Sequence, residues 1–317
     1  MSKCKTLMKS AVLLTSVLTI QVVYADSEIE GDTELNVDTE NVISAAIGTI
    51  AESEVTIGGV KNGEIAGDVS IDVDTDNVIS AAIGKAALSE VNIGAVNDSD
   101  VNGEVTIEVN TDNVISAAIG AGTFSRVNLG AVDDSNLGGD LDIEVSTDNV
   151  VSAAIGAAAA SDVNVGSVVN ASVSGDTSIK VDTANVISAA IGAGALSETD
   201  IGAIKNSSVG GNATIDVSTQ NVISAAIGAG VYANTAVGSV KNSAVGGDAN
   251  IQVTTGNLAN AAIGVGQYSK LLVGNVINTS VGGDANINVN TGDLAAFSVG
   301  VGFFKKSNSV SIGNIGD

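Results

Sequence analysis

The chain has no histidine, no proline and no tryptophan among its 317 residues, and aromatic side chains make up only 2 % of it. Without histidine, no side chain titrates unperturbed near neutral pH, and no serine can be activated by an imidazole. Basic residues are scarce: 12 Lys+Arg stand against 36 Asp+Glu, a formal charge of −24. Nucleic-acid binding needs a basic face, so no such partner is expected. The single cysteine, Cys4, excludes an internal disulfide. Intrinsic disorder is excluded by composition: 44 % of the residues are hydrophobic and 15 % charged.

Residues 1–25 carry Lys3, Lys5 and Lys9 and no acidic residue before an apolar run from Ala11 to Ile20. Val23-Tyr24-Ala25 then offers a cut between Ala25 and Asp26. This is the plan of a secretory signal peptide. The apolar run is short for a membrane span of ~20 residues, and no second long run follows. The expectation is a secreted protein, extracellular or on a cell surface, with no transmembrane segment after cleavage. Cys4, Met1 and Met8 leave with the leader, so stability must come from somewhere other than disulfides.

Repetition supplies it. Asn-Val-Ile-Ser-Ala-Ala-Ile-Gly begins at Asn41, Asn77, Asn113, Asn149, Asn185 and Asn221, and a variant begins at Asn257. Each start follows the last by 36 residues, without insertion or deletion, the signature of a repeat architecture. Thr75, Thr111 and Thr147 belong to one invariant column, and Gly31, Gly67 and Gly103 to another. A third glycine column holds Gly48, Gly84 and Gly120. Glycine at a fixed phase marks a positive φ or a close backbone approach.

Val105, Ile107 and Val109 alternate with Thr106, Glu108 and Asn110, the period-2 pattern of a half-buried strand. Short strands, glycine turns and an unbroken register predict an all-β chain folded as a parallel β-solenoid. Its domains are a signal peptide at 1–25, eight 36-residue repeats at 26–300 and a C-terminal cap at 301–317. A fainter self-similarity relates Val222–Gly228 to Val240–Gly246, 18 residues on. It favours two 18-residue coils per repeat, and hence about 16 coils in a rod ~75 Å long. Charge favours the same choice. Asp32, Asp68, Glu104, Asp140, Asp176, Asp248 and Asp284 share a column. Stacked every ~4.8 Å, neighbouring carboxylates repel by ~0.9 kcal/mol even in water. Thr and Asn are expected to stack as hydrogen-bonded ladders. The row of Ile115 is placed inside, and that of Asp140 in water.

Candidate chemistry is thin. Gly138-Gly139-Asp140-Leu141-Asp142-Ile143 and Gly282-Gly283-Asp284-Ala285-Asn286-Ile287 resemble part of a calcium-binding nonapeptide, with motif positions displaced. Asp68, Glu104, Asp140, Asp176, Asp248 and Asp284 are thus calcium candidates, against the simpler reading of an Asx-capped turn. No other metal ligand, no cofactor and no catalytic residue is expected, because a catalytic pair would be unique and here every carboxylate recurs. Glu40, Asp76, Asp112 and Asp148 form a second acidic column, read as a solvated face with cation steering as the alternative. Phe297, Phe303 and Phe304, with Lys305 and Lys306, interrupt the repeat near the C-terminus and read as a cap or docking patch.

Secreted strand-turn repeats rich in Gly and Asn, with Asn columns, resemble bacterial curli-type fibre subunits. Regular Gln columns of that family are missing here, where Gln is rare, as at Gln220 and Gln252. The resemblance covers residues 31–300 at the level of repeat design. It implies export and self-assembly into an amyloid-like extracellular fibre or biofilm matrix. The expected function is therefore structural, not enzymatic, with the chain itself as partner, end to end or laterally. The alternative is a monomeric acidic rod that acts as an adhesin or binding module, cation-dependent or not, on a cell-surface or carbohydrate partner.

Overall fold

The computed structural model describes residues 15–24, 28–300 and 307–316. It is all-β, a parallel β-solenoid of about eight turns, with no helix among the described residues. Its described residues form a 22-stranded and an 8-stranded parallel sheet.

Each turn consumes one whole repeat. Ile71 pairs with Ile107, Ile107 with Ile143 and Ile143 with Ile179, each 36 residues on. This corrects the 18-residue coil. Val222 and Val240 both face the core of one rung, yet each pairs only along its own column. The stack is therefore roughly 38 Å long, half the length expected. Carboxylate repulsion does not prevent this spacing, because Asp side chains of the column accept backbone N–H groups from the next rung. Asp140 Oδ1 accepts the Asp176 N–H at 2.8 Å, and Asp176 Oδ1 accepts the Asn212 N–H at 2.7 Å. A hydrogen bond to a charged group contributes about 1.5–3 kcal/mol, which outweighs the ~0.9 kcal/mol of repulsion per neighbour.

The third rung shows how one repeat makes a turn. Val105, Ile107 and Val109 face inward and are at most 1 % exposed. The alternation then slips by one residue at Asp112-Asn113: Thr111 and Val114 are both buried although three apart. Beyond the slip, Val114, Ser116 and Ala118 face in, while Ile115, Ala117 and Ile119 face out. Ile115 is therefore not interior, as its residue type had suggested. After the turn at 120–122 the chain returns with Thr123, Ser125, Val127 and Leu129 inward. Gly130, at φ 52°, makes the next corner, where a Cβ would lie 2.5 Å from Val145 Cγ2. Asp134 (φ 48°) makes another, and its column is otherwise Asn or Asp, the residues that best tolerate this region.

The interior has two compartments. Val, Ile and Leu fill the main one in a continuous cluster along the stack. The other is a narrow lobe filled almost wholly by alanine, with Val231 the larger side chain among its clusters. Ala46, Ala51, Ala82, Ala87 and Ala118 cluster there. Between the alanines and the main core runs a zipper of serine hydroxyls. Ser89 Oγ bonds to Ser80 Oγ, Ser116 Oγ to Ser89 Oγ and Ser125 Oγ to Ser116 Oγ, each at 2.9 Å. The zipper extends from Ser44 to Ser224. Ala233 then stands where the next serine would be.

At the ends the core is open. Ile29 and Leu35 in the first rung, and Val281, Ile287, Val289 and Leu294 in the last, are only partly buried. Strand Thr15–Tyr24, from the segment read as a leader, lies parallel on Ile50–Lys61, with Thr15 opposite Glu52. The cleavage residues Ala25 and Asp26 lie outside the described residues, as do Phe303, Phe304, Lys305 and Lys306. Strand Ser307–Ile312 continues the ladder on Tyr268–Val273, now 39 residues away, and Gly313 repeats the positive φ of Gly274.

Candidate functional site

Four features of the surface come from the repeat. The first is the corner at the Asn column. Asn77 Nδ2 donates to Asn41 Oδ1 at 2.9 Å, and the same bond links Asn113, Asn149, Asn185, Asn221 and Asn257 in turn. This amide ladder sits where the inward alternation slips, and it ties the slip of each rung to the next. Thr75, Thr111 and Thr147 are buried beside it, but their Oγ1 atoms have no hydrogen-bond partner. The Thr column is thus stacked without being hydrogen-bonded, unlike the expected ladder. Two further amide ladders come from columns not singled out in the sequence. One links Asn92, Asn128 and Asn164, the other Asn206, Asn242 and Asn278 at the left-handed corner.

The second feature is the Asp column. Asp68, Asp140, Asp176 and Asp248 each use Oδ1 to hold the N–H of the following rung, and Asp284 and Glu104 donate from theirs. The residues proposed for calcium thus lie one per rung in a line. Among the described residues no group of three or more Asp, Glu, Cys or His side chains is arranged to hold a metal ion. The second acidic column, Glu40, Asp76, Asp112 and Asp148, is exposed along the same edge as the Asn corner.

The third feature was missed in the sequence. On one face of the narrow lobe the outward residues of every repeat are apolar. Ile119, Ile155 and Ile191 are 43, 42 and 39 % exposed, and Ile83, Ile227 and Ile263 continue the same ridge. Ala117, Ala153 and Ala189 form a valley beside it, and Ile115 and Ile187 a second, half-buried ridge. From Val42 to Gly48, and in each later repeat, this stretch carries no ionisable residue. The available signal was the apolar doublet Val-Ile, only one member of which can face inward on a strand.

The fourth is the opposite face of the lobe, which is charged and aromatic. Arg126 lies between Glu90 and Asp162, 4.0 and 3.4 Å away, and stacks over Phe124 at 4.9 Å. Tyr232 and Tyr268 stack with centroids 4.7 Å apart, one rung spacing. Lys205 binds both Glu198 and the buried Asp200. Burial pushes the Asp200 carboxyl up to about 6, partly offset by Lys205 and reinforced by Glu198. Burial likewise raises Asp162 to about 6 against the pull of Arg126. Burial opposes the charge of Lys205, yet the two carboxylates hold its pKa above the usual value.

Comparison with protein-family models, curated proteins and solved structures returns no match.

Proposed function

We propose that this chain is an exported structural protein that stacks head to tail into an extracellular fibre. The observation that carries the reading is the match between its two open ends. Rung one presents Thr33, Leu35, Val37 and Thr39; rung eight presents Ala285, Ile287, Val289 and Thr291 in the same columns. A second copy placed on rung eight sets Leu35 over Ile287 as the next rung of the stack. Asp284 then offers its carboxylate to the N–H of Asp32, as Asp248 does to Asp284 at 2.8 Å. Such a contact joins unlike surfaces and does not close, so it propagates. Uncovered strand ends favour it.

Cleavage after Ala25 fits the same scheme. Strand 15–24 covers the edge of Ile50–Lys61, and its removal with the leader exposes that edge only after export. The role asks for cohesion along an axis and no chemistry, in keeping with carboxylates that recur rung after rung.

Electron microscopy of the purified mature chain tests the reading. The expected result is unbranched fibres with an axial diffraction spacing near 4.8 Å. Val289→Asp, which charges the open end of the core, should stop elongation while leaving the β-sheet spectrum intact. Short rods that stay monodisperse at all concentrations would overturn the proposal and favour a monomeric binding rod.

A further inference from the structure

We infer that the apolar face of the narrow lobe is a lateral pairing surface, and that its occupant is a second copy of this chain. This does not depend on elongation: a rod that never grew end to end would still pair.

Size is the first argument. The face spans five residues across and eight rungs along, roughly 17 by 34 Å at strand and rung spacings. Two such faces bury about 1,100 Å² together, above the ~1,000 Å² that a specific interface needs. A patch of this area stands at the upper end of what a monomer leaves in water. Here it is left bare by a chain of formal charge −24, whose acidic residues all lie outside the stretch 42–48 and its repeats.

Shape is the second argument. The face is a ridge at Ile119, a valley at Ala117 and a second ridge at Ile115, repeated through rungs one to six. Ala259 and Ala295 replace the second ridge in rungs seven and eight, and Phe297 stands in the valley of the last rung. The valley is one residue wide and lined by methyl groups, so it admits one ridge. A two-fold axis parallel to the rod lays the Ile119 ridge of each copy in the Ala117 valley of the other. This is the dry interdigitation of paired sheets. Only a partner with the same axial repeat can meet every rung in this way, and another copy has it by construction. Exposure agrees with the assignment in rungs two to five, where Ile83, Ile119, Ile155 and Ile191 are about two-fifths exposed and Ile79, Ile115, Val151 and Ile187 are half-buried. In rungs one and six Ile43 and Ile223, at 66 and 42 %, stand as high as the first ridge.

Charge is the third. The acidic edge at Glu40, Asp76, Asp112 and Asp148 borders the Ile115 side of the face. The two-fold arrangement through Ile119 puts the acidic edges of the two copies on opposite outer flanks, where they do not meet. A lipid surface is the competing occupant. Membrane-seeking faces are rimmed with Lys and Arg; here one flank carries Glu40, Asp76, Asp112 and Asp148, and the other carries, among the described residues, a single basic residue, Lys85.

The test is sedimentation equilibrium of the purified chain carrying Val289→Asp, which keeps the ends from growing and separates this proposal from the preceding one. The expected mass is that of two chains. Ile119→Lys with Ile155→Lys should give the mass of one chain and weaken pairing at least tenfold with an unchanged circular dichroism spectrum. Should that variant misfold, Ile119→Ser with Ile155→Ser makes the same comparison on a milder change. A single-chain mass for the parent overturns the proposal, as does undiminished pairing of the folded variants. Flotation of the parent as a monomer with neutral phosphatidylcholine vesicles overturns it in favour of a lipid surface.

Discussion

Asp140 Oδ1 accepts the backbone N–H of Asp176, one full repeat later, at 2.8 Å. This one bond joins two rungs, satisfies a turn N–H and places a carboxylate directly above its neighbour. It turns a column that electrostatics alone disfavours into a vertical seam.

The seam predicts a graded response at Asp140. Asn212 already holds the Asp248 N–H at 2.8 Å, so Asp140→Asn should change the urea midpoint little. Asp140→Ala removes the acceptor, about 1.5–3 kcal/mol, but also relieves ~0.9 kcal/mol of repulsion per neighbouring carboxylate, and should destabilise by a net of roughly 1 kcal/mol. Equal midpoints for the Ala and Asn variants would show the seam to be idle.

Neighbouring residues on one strand should respond oppositely to charge. Val114 is fully buried, and Val114→Asp strands an unpaired carboxylate in the core, a change of several kcal/mol. Ile115→Asp places the same carboxylate on the outer face and should leave the rung folded. Limited proteolysis reads the difference: cleavage in the middle repeats for the first variant, parent-like resistance for the second.

The serine zipper should tolerate loss better than bulk. Ser116→Ala breaks its bonds to Ser89 and Ser125 and should destabilise by about 1–2 kcal/mol. The chain makes this change itself at Ala233, where the hydroxyl row stops. Ser116→Val forces two methyl groups between walls already in contact and should be worse, by the ~1–3 kcal/mol typical of overpacking. Thermal denaturation of both variants ranks them.

Acid should stabilise the fifth rung. The Asp200 carboxyl is raised from 3.8 to about 6 by burial, so between those values the folded state binds more protons than the unfolded chain. Stability contributed by this group therefore rises as pH falls from about 6 towards 4, and the penalty is complete above pH 6. Urea midpoints at pH 7 and pH 5 should show a gain on acidification that is smaller in Asp200→Asn. An identical gain in parent and variant would remove Asp200 from the account.

The sequence by itself determined the strands, the parallel stacking and the 36-residue period, because an unbroken repeat gives each side chain an equivalent at a fixed number of residues along the chain. It also determined that Val105, Ile107 and Val109 face inward, since a plain alternation has one solution. Two decisions were left to the tertiary structure. The coil length was one: Val222 and Val240 look alike because both line the same interior, and similarity of environment cannot distinguish opposite parts of one rung from successive rungs. The direction of Ile115 was the other. Side chains on a strand alternate with a period of two, so the single-residue slip at Asp112-Asn113 exchanges inside and outside for everything beyond it. Val114 and Ile115 are both apolar and β-branched, and only the corner between them and Thr111 decides which is core and which becomes the exposed ridge.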